Sequence, residues 1–558
     1  FAYLARLPKQ NEWESCGDGA FTGTALNRKQ AMRPLVAQHR GVVGVGDVRL
    51  DNRDEIIAMS GCSADESDLA IVLAAIDKHG ADVVPRLHGD FAFVAWDARA
   101  RKVVAARDCF GVKPLFYRRT AEHLLLSSRL EPLSGDEAID PDYVAAFLNG
   151  ASNSAPRTIW KNALQVEPGG MLVQRGSVTA QSRYWSPATF EPQATFNEVR
   201  AVEEFKELFL GSLIQRVAPG ETWAQLSGGL DSSAVVSAAE WLNEAGRNTA
   251  LLGAVTVSDG LGTGDERAFS DTVVSRYALP NEFVRDYWPW RNDYDGAPAP
   301  SDEPSPLFPF FARDRKMVDI VASNGGRVLL SGLGADHYMC GSLTYMADML
   351  AQGKIRDTAR EVLAWAVETR RSFWHTAHAN VVQPLVSTIR NRSRIGHLYS
   401  QEMTSQLTGV CNWIQRDVFQ DRLEVRYPFL SRRLVEFTLR LPVNMKVRPT
   451  AQKYVLREAM RGIVPEMVRT RTHKGGIDAR ILWALKHEQP LIEALSTDPI
   501  IAQMGFVDAK RLRDTVELAR QGAWRDTVQV MSALALESWL RARNGAWPSL
   551  KQAALTAA

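Results

Sequence analysis

A chain of 558 residues, 45% apolar and 23% charged, is long enough for about two to four domain-sized units, each with its own core. A net charge of +2 gives no reason to expect nucleic acid or an acidic membrane surface as partner, and no apolar run reaches membrane-spanning length. The five cysteines, Cys16, Cys62, Cys109, Cys340 and Cys411, show neither CxxC nor metal-ligand spacing, which argues against a zinc site or disulfide framework and points to a reducing, cytoplasmic setting.

Residues 1–120 read as short β-type runs separated by turn signals. Residues 41–53, 87–97 and 102–117 are three such runs, and 66–79 has helical spacing. A layered α/β domain is expected. Farther on, the pattern predicts a helix over 142–148 and a hairpin through residues 169–173. Residues 186–197, with two prolines, form the best linker candidate. An amphipathic helix over 202–217 then leads into the second half.

That half opens on Leu226, Ser227, Gly228, Gly229, Leu230, Asp231, Ser232 and Ser233, between an apolar run at 222–226 and helical spacing at 234–242. The order is strand, glycine loop, helix. Two glycines let backbone N–H groups turn inward without a Cβ clash, and the helix start adds free amides and the positive end of its dipole. The product is an anion cradle. No Lys-Ser or Lys-Thr follows at Walker A spacing, so it is not the usual NTPase loop. Residues 251–258, including Val255, form a β-rich run. Residues 327–336 form another, ending in Ser331, Gly332, Leu333, Gly334, Ala335 and Asp336. Ligands of an open parallel sheet lie beyond the carboxyl ends of its strands, so both glycine turns are expected to face one site.

SGGLDSS (227–233) resembles the PP-loop of the ATP pyrophosphatases, which holds the pyrophosphate that leaves when ATP adenylates a substrate. GDVRLDNRDE (46–55), LHGDFAFVAWD (87–97) and ARDCFGVKPLFY (106–117) resemble the glutamine-amidotransferase half of the asparagine synthetase family. SGLGAD (331–336), GDERA (264–268), RYPFL (426–430), KYVLR (453–457) and RTHKGG (471–476) resemble segments of its synthetase half, in the same order. The resemblance covers nearly the whole chain. It implies an Ntn-hydrolase-like αββα sandwich over 1–190 and a PP-loop ATP pyrophosphatase domain, a parallel sheet flanked by helices, over 198–558. Residues 346–402 match poorly, are rich in Trp, His and Arg, and read as a helical insertion whose aromatics are mostly core.

The same resemblance implies ATP and Mg²⁺. Residues 226–233, Val255, Ser331, Gly332 and Leu333 would line the nucleotide. Phosphate-bound Mg²⁺ needs one or two carboxylates, and Asp231 and Asp336 would supply them, although each alone also fits a helix cap. Lys474, matching the family's lysine after the arginine, is assigned to the reaction centre. Lys453 is a second catalytic candidate, although Lys453 and Arg457, one helical turn apart, fit a solvated basic face as well.

Two departures narrow the expected reaction. The family's glutaminase nucleophile is a cysteine at the mature N-terminus, whereas this chain opens Phe1, Ala2, Tyr3 and has its nearest cysteine, Cys16, in a polar turn. With Phe1 as the start, the first domain is expected to be degenerate and to hydrolyse no glutamine. Asparagine synthetases place Glu, and β-lactam synthetases Tyr, where Leu333 stands, each helping to position or deprotonate the attacking nitrogen. Leucine does neither. An α-amine with pKa near 8 is substantially neutral without a base. These departures resemble the lasso-peptide macrolactam synthetases, which adenylate an internal Asp or Glu side chain and let the peptide's own N-terminal amine close the ring. The implied partners are a linear core peptide and the leader peptidase of the same pathway. The alternatives are an ammonia-dependent asparagine or β-lactam-type synthetase acting on a small acid, and a non-catalytic scaffold.

Overall fold

The computed structural model describes residues 13–17, 22–26, 35–134, 138–150, 156–190, 192, 196–258, 266–285, 287–292, 297–298, 301–340, 342–390, 397–414, 422–472, 478–522 and 527–548. In the first half, six antiparallel strands form one sheet in the order Val178–Arg183, Gly170–Arg175, Lys102–Arg107, Gly89–Asp97, Val42–Leu50, Val36–His39. Its central strand shows why the run at 87–97 looks almost uniformly apolar: both faces are covered. Phe91, Phe93 and Ala95 point toward one cluster, while Ala92, Val94 and Trp96 point toward another, the period-two alternation of a strand.

On the first face lies the helix Asp68–His79. Ser67 caps it, accepting from the Ala70 N–H at 3.3 Å, and every residue from Leu69 to Ile76 is buried. On the other face is a small sheet in the order Leu124–Ser127, Phe116–Arg119, Ala163–Gln165. Beyond it the helix Pro141–Leu148, capped by Asp140, packs Tyr143, Val144 and Phe147 into a cluster with Phe116 and Ala163. The layers are therefore α, β, β, α. This outer cluster also takes in Leu534, Leu536 and Trp539 of the late helix Thr527–Arg543, so the end of the chain returns to the first half. The expected hairpin forms between Gly170–Arg175 and Val178–Arg183: Gly169, with φ +67°, sits in the turn that leads into its first strand, and the hairpin itself turns at Gly176 and Ser177. The expected linker is packed at Phe190, whose ring lies against Trp185 with centroids 6.4 Å apart and a 38° tilt and is covered by the Arg440 guanidinium.

The second half holds a five-stranded parallel sheet in the order Asn281–Arg285, Gly253–Ser258, Thr222–Gln225, Val328–Leu330, Glu424–Arg426. Helices cover both faces. Phe205, Phe209, Val235 and Val236 pack on Val328 and Leu330, while Met317, Val318 and Val321 pack on Leu329 and Val255. The strand Thr222–Gln225 has the second strand of the series on one side and the fourth on the other. The order reverses there, which makes it the switch point where such sheets bind ligands. The described residues from 345 to 409 form a series of short helices and no strand. Trp365 is buried there, as expected of a core aromatic, but Trp374 is 79% exposed.

The two halves meet through buried ions. Arg49 bonds Asp51 at 2.6 Å and Asp90 at 2.7 Å, and Arg216 of the second half bonds Asp51 at 3.1 Å. Arg426 in turn donates to the Arg216 carbonyl at 2.8 Å. Burial opposes the charge of Asp51, but Arg216 and Arg49 outweigh it and hold its pKa at about 2. A carboxyl depressed in the folded state contributes stability that is complete above the ordinary value of 3.8 and lost as pH falls toward about 2. Denaturation curves across that window should show a loss of roughly 2 kcal/mol that Asp51→Asn lacks. An equal acid slope in both proteins would remove Asp51 as its source.

Candidate active site

The strand Thr222–Gln225 extends one residue beyond its assigned end, where the Leu226 N–H donates to the Val255 carbonyl at 2.9 Å. Both side chains are buried, so what Leu226 and Val255 offer a ligand is main chain. The loop then turns at Gly228, whose φ is +77° and where a Cβ would lie 2.5 Å from the Glu266 carbonyl. Conformation and space both demand glycine there. Ser227 and Ser232 brace the loop: their hydroxyls are 2.9 Å apart, and the Ser227 N–H donates to Ser232 Oγ at 3.0 Å. The helix Leu230–Glu244 follows with Gly229 as its cap and no side chain closing its first turn. Ser233 is fully buried beneath that turn, and its hydroxyl has no partner among the described residues.

The second turn leaves the strand Val328–Leu330. Ser331 N–H donates to the Arg426 carbonyl at 3.0 Å, and Ser331 Oγ accepts from Leu333 N–H at 3.3 Å. A Cβ on Gly332 would lie 2.8 Å from the Ser232 nitrogen. The two glycine turns are therefore in van der Waals contact at the switch point. Leu333 is half-buried and packs against the core. Asp231 and Asp336 each sit in the first turn of a helix after a glycine cap, and neither acts as a cap.

Between these aspartates lies Lys453, buried, with an ordinary α-helical run, Tyr454–Ala459, beginning just after it. Its ammonium bonds Asp231 and, at 2.6 Å, Asp336 Oδ1. Burial opposes that charge, but Asp231 and Asp336 raise the Lys453 pKa well above its ordinary value. Lys453 is therefore not part of a solvated face. Arg457 turns away, bonding the carbonyls of Gln452 and Arg469. Cys340 donates its thiol to Asp336 at 3.0 Å, and burial raises its pKa to about 12. His337 is lowered by burial.

Arg471 also belongs to this neighbourhood. It pairs with Glu266 at 2.8 Å, covers the Phe269 ring at 4.0 Å and reaches the Gly228 carbonyl at 3.5 Å. Neither Arg471 nor Glu266 stands out by residue type. The available signal was that both lie in the GDERA and RTHKGG segments. Lys474, three residues after Arg471, lies outside the described residues.

Among the described residues no group of three or more His, Cys, Asp or Glu side chains is gathered as a metal site. Two carboxylates bracketing one cation nevertheless fit Mg²⁺, which usually takes one or two carboxylates and completes its shell with water and substrate phosphates. The open first turn of Leu230–Glu244 and the amides of the glycine loop suit phosphate oxygens.

A parallel sheet with an anion loop and paired carboxylates at its switch point, joined to an αββα sandwich, defines a two-part nucleotide-using synthetase. The chain belongs to the asparagine synthase family, whose model matches residues 205–541, and a glutamine amidotransferase domain model matches residues 51–185. It is 24% identical to the amidase chyE of Penicillium rubens over 81% of this chain and 79% of that one. It is 23% identical to asparagine synthetase (glutamine-hydrolyzing) 1 of Bacillus subtilis over 81% and 78%, and 25% identical to a putative asparagine synthetase of Mycobacterium tuberculosis H37Rv over 76% and 72%. The family is one of ATP-dependent carbon–nitrogen ligases. No described helix is long and apolar enough to cross a membrane.

Proposed function

We propose that this chain is a peptide macrolactam synthetase of the lasso-cyclase type. It adenylates an internal Asp or Glu side chain of a linear core peptide and joins it to the peptide's own N-terminal amine. Leu333 carries the reading: at the second glycine turn, beside the carboxylate pair, this half-buried side chain has no group that takes a proton or holds ammonia. The nearby carboxylates are each bonded to the Lys453 ammonium, which disfavours their taking a proton. An amine delivered by the substrate and already partly neutral suits such a site.

The carboxylate oxygen attacks the α-phosphorus of ATP and pyrophosphate leaves. The amine then attacks the acyl carbon, AMP leaves with the bonding pair, and the surplus proton goes to solvent. Ser227, the loop amides around Gly228 and Gly229, and the helix start at Leu230 would hold phosphates, while Asp231 and Asp336 would hold Mg²⁺. That ion, when bound, neutralises phosphate charge. A leader peptidase acting beforehand would free the amine.

A second reading compatible with the same family is an asparagine-type or β-lactam-type synthetase acting on a small acid with ammonia. AMP release should be measured with ATP and a linear precursor peptide, with ATP, aspartate and ammonia, and with ATP alone. Peptide-dependent AMP together with a product lighter by one water supports cyclisation. AMP that depends on aspartate and ammonia replaces that reading with the second, and no AMP under any condition leaves a scaffold.

A further inference from the structure

Lys453 is a lysine placed where a metal-binding site has gathered its carboxylates, and its position is built. Its φ of +57° is a left-handed conformation that lysine rarely takes, held between the strand Ala451–Gln452 and the helix Tyr454–Ala459. The side chain is only 9% exposed and Asp231 only 13%, so water screens their attraction poorly. Asp336, 49% exposed, is the arm of the clamp that faces solvent.

We propose that Lys453 is a resident counter-ion that keeps divalent metal from the Asp231–Asp336 pair until a nucleotide arrives. The argument is electrostatic. Two carboxylates brought together repel, and an ammonium bonded to both removes most of that repulsion and so keeps the pair assembled. The same ammonium repels a second cation and occupies one oxygen of each carboxylate. A triphosphate supplies the ammonium with another anionic partner at the adjoining loop, and only then do both carboxylates become available. Metal and nucleotide therefore enter together, and Asp336, the exposed arm, is released before the shielded Asp231.

The proposal rests on the assignment of the aspartate pair as the cation site, but its test uses no peptide and no turnover. Its failure therefore leaves the cyclisation reading standing, and failure of that reading leaves it standing. The full-length protein, free of nucleotide, is titrated with Mn²⁺ and free aqua-Mn²⁺ is followed by electron paramagnetic resonance. The unaltered protein should show no stoichiometric site tighter than about 1 mM. Lys453→Met should expose one site at least tenfold tighter, and Lys453→Met combined with Asp336→Asn should lose it. Lys453→Arg should behave as the unaltered protein. If Lys453→Met does not fold, Lys453→Gln, which keeps a polar N–H donor without the charge, should show the same gain. The proposal is overturned if the unaltered protein binds Mn²⁺ without nucleotide as tightly as the neutral variants, or if their gain survives loss of the Asp336 carboxylate.

Discussion

Asp231→Asn and Asp336→Asn should each abolish AMP formation, by at least about a hundredfold, while leaving the sheet and its helices intact. Asparagine keeps the shape of each side chain but not the charge that Mg²⁺ and the Lys453 ammonium require. The two positions differ in a way that separates ligation from mere support. Asp231 is only 13% exposed, so taking its charge from Lys453 leaves an ammonium in a poorly hydrated place and should lower the melting temperature measurably. Asp336 is 49% exposed, and water compensates much of the same change. Equal loss of activity with unequal loss of stability is the expected pattern, read from AMP assays beside thermal melts. If either variant keeps near-normal activity and an unchanged Mg²⁺ requirement, that aspartate is not a ligand.

What the sequence revealed follows from how local each signal is. The strand, glycine loop and helix around Gly228 are contiguous, and each piece constrains the next, so the turn and its amides are readable from the residues alone. The strand Glu424–Arg426 is not. Three residues, Glu, Val and Arg, are too short a run for their alternation to be read, and only the parallel neighbour Val328–Leu330 makes them a strand. The charges tell least. Arg49, Asp51, Asp90 and Arg216 read as surface residues by type, yet their side chains are at most 8% exposed, because Arg216 of the second half closes over Asp51 and Asp90, which Arg49 already holds within the first. Lys453 is ambiguous for the same reason: its partner Asp231 lies 222 residues earlier, beyond the reach of any periodicity. The convergence of Asp231 and Asp336 is legible from sheet logic alone, but the cation between them is not. Trp374 misleads, since an aromatic in an amphipathic helix is ordinarily core and this one faces solvent.

Lys474→Met should leave ATP affinity within about tenfold and lower macrolactam formation at least about a hundredfold. Negative charge accumulates twice in the proposed reaction, first as a carboxylate meets the α-phosphate and again as amine attack builds a tetrahedral oxyanion beside the departing phosphate. A fixed ammonium near those atoms stabilises charge where it develops, and its removal is felt in the rate more than in binding. Three lysine and arginine positions compete for this role, and their partners distinguish them. Lys453 is committed to the two aspartates, so Lys453→Met should disturb nucleotide binding and pyrophosphate exchange as well as product formation. Arg471 is held by Glu266 and the Phe269 ring, which suits it to bracing the loop at Gly228. Lys474 follows it in the same segment, before Gly475 and Gly476. Measuring pyrophosphate exchange and ring closure separately on Lys474→Met and Lys453→Met sorts these roles. If Lys474→Met closes the ring within a few-fold of the unaltered protein, the charge at the reaction centre belongs to another basic residue, and Lys453 is the first to take its place.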